Sequence, residues 1–305
     1  MNPASLSELR ASFGDRMQEN VPLSSYTAAR IGGPADVLVF VRNADELVQA
    51  AEKLWKMEMP FTLLGGGSNV LVSDKGVRGV VVVNRARLVK FNSQSENPTV
   101  HAETGVTPND IAQRAARLGL AGFEWAAAIP GSLGGAIYGN AGAFGGDMAG
   151  NLISVELFHR QLGRQTWPVS KLEYGYRTSL LKLEHPPVLL LSAELALKHG
   201  DRAEIQSKME QFSAKRRAAQ PPGASMGSMF KNPPGDKAGR LLEAAGLKGK
   251  SIGNASISTQ HANFFINNGQ TRAEDMKALI ELAQKAVLDQ FETKLELEVE
   301  LIGEW

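Results

Sequence analysis

The chain has 305 residues, enough to bury a full core and to divide into two or three domains. Its 33 basic residues balance 32 acidic ones, which argues against a general nucleic-acid-binding surface. Cysteine is absent, which excludes disulfides, thiolate metal sites, iron–sulfur clusters and cysteine nucleophiles. The opening MNPASLSELRASFG has no basic segment ahead of an apolar core. The longest nearly apolar run, Val188 to Leu197, carries Ser192 and Glu194 and is too short to span a bilayer. The expected setting is therefore the reducing cytoplasm, with no membrane attachment.

In chain order, Val37 to Val41 reads as a buried strand. Asn43 then caps a helix, with Glu46 three residues on, apolar positions at Leu47, Ala51, Leu54 and Trp55, and Pro60 beyond its end. Phe61 to Leu64 and Gly79 to Val83 are short strands around a glycine cluster. A strand at Thr99 to Glu103 leads to a helix opened by Thr107 and Pro108 and stopped at Gly119. A dense glycine loop follows, and then strands at 153–159 and 188–197. Asp201 opens a helix with Ile205, Met209 and Phe212 on one face, ending in Lys215, Arg216 and Arg217 before two prolines. A short helix at 240–245 and strands at 252–258 and 263–267 come next. Thr271 and Glu274 form a second capping box opening another helix. The terminal strand alternates Leu295, Leu297, Val299 and Leu301 inward against Glu296, Glu298 and Glu300 outward. The expected fold is α+β, with mixed sheets in at least two lobes.

The glycine clusters are the most informative feature. Seven of the sixteen residues from Gly131 to Gly146 are glycine, and Gly65, Gly66 and Gly67 precede Ser68 and Asn69. A chain concentrates glycine where its backbone turns sharply or touches something closely. Neither cluster matches the Rossmann fingerprint or the P-loop. Backbone N–H groups interleaved with Ser68, Asn69, Ser132 and Asn140 suit a diffusely charged pyrophosphate, so the two segments suggest one extended phosphate-bearing ligand. The five histidines show no metal-ligand spacing, so no metal is expected.

These residues also carry a resemblance. RIGGPAD (30–36), LLGGGSNVLVSDKG (63–76) and GFEWAAAIPGSLGGAIYGNAGAFGG (122–146) resemble successive motifs of the UDP-N-acetylenolpyruvoylglucosamine reductases, flavoenzymes of bacterial peptidoglycan precursor synthesis. YGYRTS (174–179), GSMFKNP (227–233), AGRLLEAAGLKG (238–249), STQHANFFINNG (258–269) and LELEVELIGE (295–304) continue the series in order. The resemblance implies a vanillyl-alcohol-oxidase/PCMH-type FAD-binding fold. Two subdomains, 1–88 and 89–212, would hold non-covalent FAD, and a lobe at 213–305 would close on substrate. NADPH would reduce the flavin, which would pass hydride to the enol-ether double bond of a UDP-sugar. A monomer is expected.

By the same resemblance, Ser228 would donate the proton, Arg177 would hold the substrate carboxylate or support the serine, and Glu298 would polarise the developing enolate with Arg177. Periodicity alone cannot choose among Glu296, Glu298 and Glu300; only the family position selects Glu298. The implied FAD-binding set is Gly65, Gly66, Gly67, Ser68, Asn69, Ile129, Pro130, Gly131, Ser132, Gly134, Gly135, Asn140, Ala141 and Gly142. Tyr176, Gln220, Lys231, Asn232 and His261 are the substrate-side candidates. Arg216 and Arg217 either serve a diphosphate or simply favour the end of their helix. The segment from Tyr176 to Val188 has little room for the tyrosine-bearing insertion of longer relatives, so the chain resembles the short form. Trp125 and Tyr138 stand where smaller or different apolar groups are expected. Two rival readings stay open. A different flavin oxidoreductase on this scaffold would bind flavin without turning over the enolpyruvyl sugar. A non-catalytic nucleotide-binding module would be colourless, or would hold flavin that NADPH does not bleach.

Overall fold

The computed structural model describes residues 3–305. Its first sheet runs in the order Met17–Pro22, Pro34–Val41, Val77–Asn84, Phe61–Leu64, antiparallel at the first pairing and parallel thereafter. The two central strands are rich in valine because both faces are covered. Helices Pro3–Phe13 and Ala44–Lys56 pack on one face through Leu9, Leu47, Ala50 and Leu54, and Leu23 and Val72 cover the other. The Asn43 side chain caps Ala44–Lys56 by accepting from Glu46 N at 2.8 Å, as expected. Glu46 returns to the backbone N–H of Arg42, one residue before the position a capping box uses.

The second sheet is antiparallel throughout, in the order Gly163–Pro168, Leu152–His159, Val188–Ala196, Thr99–Glu103, Val89–Asn92. Its core surrounds Phe123, Leu133 and Leu195 and takes in helix Pro108–Arg117, capped by Thr107 as read from sequence. Phe158, Leu189 and Leu191 cross to the core of the first sheet, so the two subdomains share a seam. The carboxylate of Glu103, 6% exposed, staples that seam. It accepts from Ala44 N and from Leu88 N, both at 2.8 Å.

The third sheet runs Ala224–Ser228, Phe264–Asn267, Ala255–Ile257, Ser251–Ile252 and carries helices Ala238–Ala244 and Ala273–Phe291. Four expectations change here and nearby. The strand expected at 252–258 is a hairpin, because Gly253 and Asn254 form a two-residue turn between Ile252 and Ala255. The capping box at Thr271 and Glu274 does not form, since the Thr271 hydroxyl donates to Asn254 O. Asp74, from the first subdomain, caps the helix instead by accepting from Ala273 N at 2.8 Å and Glu274 N at 3.0 Å. The glycine loop contains a six-residue helix, Leu133–Tyr138, capped by Ser132. The terminal strand is only Glu300–Ile302 and runs parallel to Val70–Val72 of the first subdomain. Leu295 and Val299 are buried as the alternation requires.

Candidate active site

The two glycine clusters meet. A Cβ at Gly66 would lie 2.6 Å from the Gly131 Cα, and one at Gly65 would lie 2.1 Å from the Ser132 hydroxyl. Gly131, at φ +93°, faces Ser68 in turn, with only 2.4 Å between a Cβ there and Ser68 Oγ. These glycines therefore serve first to press a loop of one subdomain onto a loop of the other, which sequence alone could not distinguish from a direct ligand contact. Among the described residues, the backbone N–H groups of Gly66, Gly67, Ser68, Gly131 and Ser132 donate to no protein acceptor. Buried polar groups are rarely left unpaired, so these donors are available to an anion. Both loops line one cleft of about 800 Å³.

Of the expected cofactor set, Gly65 to Asn69, Ile129 to Ser132, Gly134, Gly135, Ala141 and Gly142 line this cleft. Asn140 does not. Its amide donates to Gly175 O at 3.0 Å and its carbonyl accepts from Ala149 N at 3.0 Å, which locks the loop behind the cleft wall. The Asn69 amide is also spent, on the backbone carbonyl of Glu298 at 2.9 Å.

Arg177, Ser228 and Glu298, from three distant parts of the chain, line the same cleft. Arg177 sits at φ +56° in the turn bridged by Gly175 and Thr178. Its Nη2 donates to Gly142 O at 3.0 Å and its Nη1 to Asn140 O at 3.4 Å, while Nε lies 2.7 Å from Glu298 Oε1. Glu298 N donates to Met229 O, next to Ser228, before the chain crosses to Asn69. The segment around Glu298 thus passes from the third sheet to the first cradle. Burial pushes the Glu298 carboxyl above its usual range, and the charges of Arg177, Lys182 and Lys231 oppose that rise. The glutamate face expected to point outward is instead a row of ion pairs, with the Glu298 side chain only 18% exposed.

Gln220 lines the cleft, but Tyr176, Lys231, Asn232 and His261 are not among its lining groups. Tyr176 is exposed, its ring 5.6 Å from the Arg177 guanidinium carbon. Lys231 pairs with Glu296 at 3.4 Å, and the Asn232 side chain accepts from Ala238 N at 3.1 Å. His261 packs edge-on to Phe264 at 5.0 Å, and burial lowers its pKa. Arg216 reaches the cleft and Arg217 does not; burial and then Arg177 lower the Arg216 pKa. The sequence reading missed Lys182, Lys215, Phe144, His185 and Glu300, all of which line the cleft. No spacing signals them, because they come from four separate parts of the chain, with only Lys182 and His185 sharing the helix Leu180–Glu184 and its cap. Trp125 is accommodated by Gly146, where a Cβ would lie 2.3 Å from its ring, and its indole N–H donates to Asn151 at 2.9 Å. Tyr138 lines the cleft with its hydroxyl 3.4 Å from His185 Nδ1. Between Tyr176 and Val188 the chain forms one short helix, Leu180–Glu184, leaving no separate insertion.

Paired glycine loops opening on a cleft between subdomains define a flavin-binding α+β oxidoreductase, and residues 35–164 match the family model described as an FAD binding domain. Residues 219–302 match that of the UDP-N-acetylenolpyruvoylglucosamine reductase C-terminal domain. The reductase of that name from Chloroflexus aggregans is 41% identical over 297 residues, covering 96% of this chain and 100% of its own. The one from Geobacillus kaustophilus is 40% identical, covering 93% and 92%. The crystal structure of UDP-N-acetylenolpyruvylglucosamine reductase from Thermus caldophilus superposes with a TM-score of 0.79 at 36% identity, covering 93% of this chain and 99% of that one. The chain belongs to the UDP-N-acetylenolpyruvoylglucosamine reductase family.

Proposed function

We propose that this chain reduces the enolpyruvyl group of UDP-N-acetylenolpyruvoylglucosamine to the lactyl group of UDP-N-acetylmuramate, using NADPH and non-covalent FAD. The observation that carries this reading is the convergence of Arg177, Ser228 and Glu298 on the cleft that both glycine loops line. The unpaired N–H donors of Gly66, Gly67, Ser68, Gly131 and Ser132 fit a flavin dinucleotide's pyrophosphate. Bound FAD would supply the hydride chemistry that no side chain can perform, taking hydride from NADPH and giving it to the alkene.

The division of labour would be 1–88 and 89–212 for the cofactor and 213–305 for the substrate. Arg177 meets the substrate carboxylate with its planar fork, and its anchoring to two carbonyl oxygens fixes that fork in place. Glu298 holds Arg177 at Nε, and together they stabilise charge as electron density moves onto the carboxylate. Ser228 gives its hydroxyl proton to the carbon next to the one that receives hydride. Its hydroxyl makes no hydrogen bond to protein among the described residues, so the donor is free to point at substrate. Gln220, Lys215 and Arg216, which line the cleft, would meet the polar groups of the nucleotide. The proposed setting is cytoplasmic and monomeric; among the described residues no helix is long and apolar enough to cross a membrane.

Anaerobic NADPH should bleach the protein's yellow colour, and the enolpyruvyl nucleotide sugar should restore it. Bleaching without restoration would leave a flavin oxidoreductase of another specificity. Protein that stays unbleached would point to a non-catalytic nucleotide-binding module.

A further inference from the structure

Three alternate glutamates of the terminal segment each meet a cation from another part of the chain. Lys231 Nζ lies 3.4 Å from Glu296, Arg177 Nε 2.7 Å from Glu298, and Lys182 Nζ 2.5 Å from Glu300. The rungs differ in shelter. The Glu296 side chain is 71% exposed, so solvent screens the Lys231 rung. The Lys182 side chain is only 15% exposed and, like Glu298 and Glu300, it lines the cleft.

Lys182 is held firmly. It lies in helix Leu180–Glu184, whose cap, Ser179, is fully buried. The Ser179 hydroxyl accepts from Lys182 N at 3.3 Å and donates to Tyr138 O at 2.7 Å, fixing the helix onto the glycine-loop helix. Glu300 is held as well, its N–H donating to Asn69 O at 3.0 Å. An ion pair with a part-exposed carboxylate contributes little to stability. A sheltered ammonium on a fixed helix in an active-site cleft has more effect through its field on the neighbouring part-buried carboxylate.

That carboxylate is Glu298. The charged groups around it are Arg177 and Lys182 from the second subdomain, Lys231 from the loop after the strand Ala224–Ser228, and Glu296 and Glu300 along its own segment. From the first subdomain the Asn69 amide holds its backbone carbonyl. Protonation of Glu298 would remove the anion at Arg177 Nε and leave that guanidinium its hydrogen bonds to Asn140 O and Gly142 O.

We propose that Lys182, anchored beside Glu300 in the glutamate row, is a positioning residue that works with Arg177 on Glu298 and thereby keeps Arg177 aligned for the substrate carboxylate. The proposal rests on the reductase reading of this cleft. It gives the glutamate row a function, with the cation of one rung supporting the more sheltered rung beside it.

The test follows flavin reoxidation by the enolpyruvyl nucleotide sugar across pH, using NADPH-reduced holoenzyme, alongside direct titration of the Glu298 carboxyl carbon by 13C NMR, assigned with Glu298→Gln. Wild type should lose reoxidation as pH falls through the Glu298 titration. Lys182→Met should move that acid limb and the NMR midpoint to higher pH, each unit of displacement costing about tenfold in rate on the limb. Lys182→Arg should restore both. Uniform slowing at every pH in Lys182→Met, with the midpoint unmoved, would overturn the proposal and leave Lys182 a packing residue. Wild-type flavin that NADPH bleaches but the sugar nucleotide cannot reoxidise would overturn the reductase reading, and with it the proposal, before any variant is made.

Discussion

Ser228 ends the strand Ala224–Ser228, and among the described residues its hydroxyl at the cleft has no protein partner, although a serine is a weak acid. Such a donor suffices only if the acceptor is strongly basic, as the carbanion left by hydride addition to an alkene is. Ser228→Ala should therefore leave flavin reduction by NADPH within about twofold while slowing reoxidation by about 10²–10⁴, the usual contribution of a positioned acid. Rapid-mixing spectroscopy separates the two half-reactions, and normal reoxidation in the variant would remove Ser228 from the role. Gly66 makes a different point. Nothing in its main-chain conformation requires glycine, yet a methyl there would meet the Gly131 backbone at 2.6 Å. Gly66→Ala should force the loops apart, cost about 1–3 kcal/mol of stability and yield colourless protein. A yellow variant with wild-type absorbance at 450 nm would show that the loops tolerate separation.

At the scale of elements, what the sequence disclosed was what local chemistry decides. Asn43 and Thr107 could be read as caps because each bonds an N–H three residues away. The cap of Ala273–Phe291 was misread for the opposite reason. Thr271 and Glu274 have the right spacing, but Asp74 reaches the same N–H groups from 199 residues away in sequence, and Thr271 is engaged by Asn254. Pattern cannot reveal a partner that only the fold delivers. Asp74→Ala should destabilise the protein by about 1–2 kcal/mol, because a carboxylate lost from a helix N-terminus removes both hydrogen bonds and a favourable dipole interaction. Denaturant melts measure this directly. An equal or larger loss in Thr271→Ala, with Asp74→Ala neutral, would return the cap to threonine. The glutamate row failed in the same way: alternation showed its face, but its cations come from Lys231, Arg177 and Lys182, on other elements.

For the molecule as a whole, the cleft lies where three bodies are sewn together. Glu103 joins the first two sheets, Asp74 ties the first subdomain to the last long helix, and Glu300–Ile302 returns along Val70–Val72. The glycine motifs disclosed the cradles, but not that each presses on the other across a subdomain boundary, because contact across a seam leaves no periodic trace. A dinucleotide held by both loops would bridge that seam, so binding should stabilise the whole fold and not one lobe. Apoprotein should therefore melt as one transition at lower temperature, and FAD at a hundredfold excess over its dissociation constant should restore about 2.7 kcal/mol. FMN, which lacks the pyrophosphate, leaves some of the free N–H donors of Gly66, Gly67, Ser68, Gly131 and Ser132 unmet and should stabilise less at equal concentration. Gly66→Ala should respond to neither. If FMN raised the melting temperature as far as FAD, the paired loops would not be gripping a pyrophosphate, and the donors they leave unpaired would have to be assigned to another ligand.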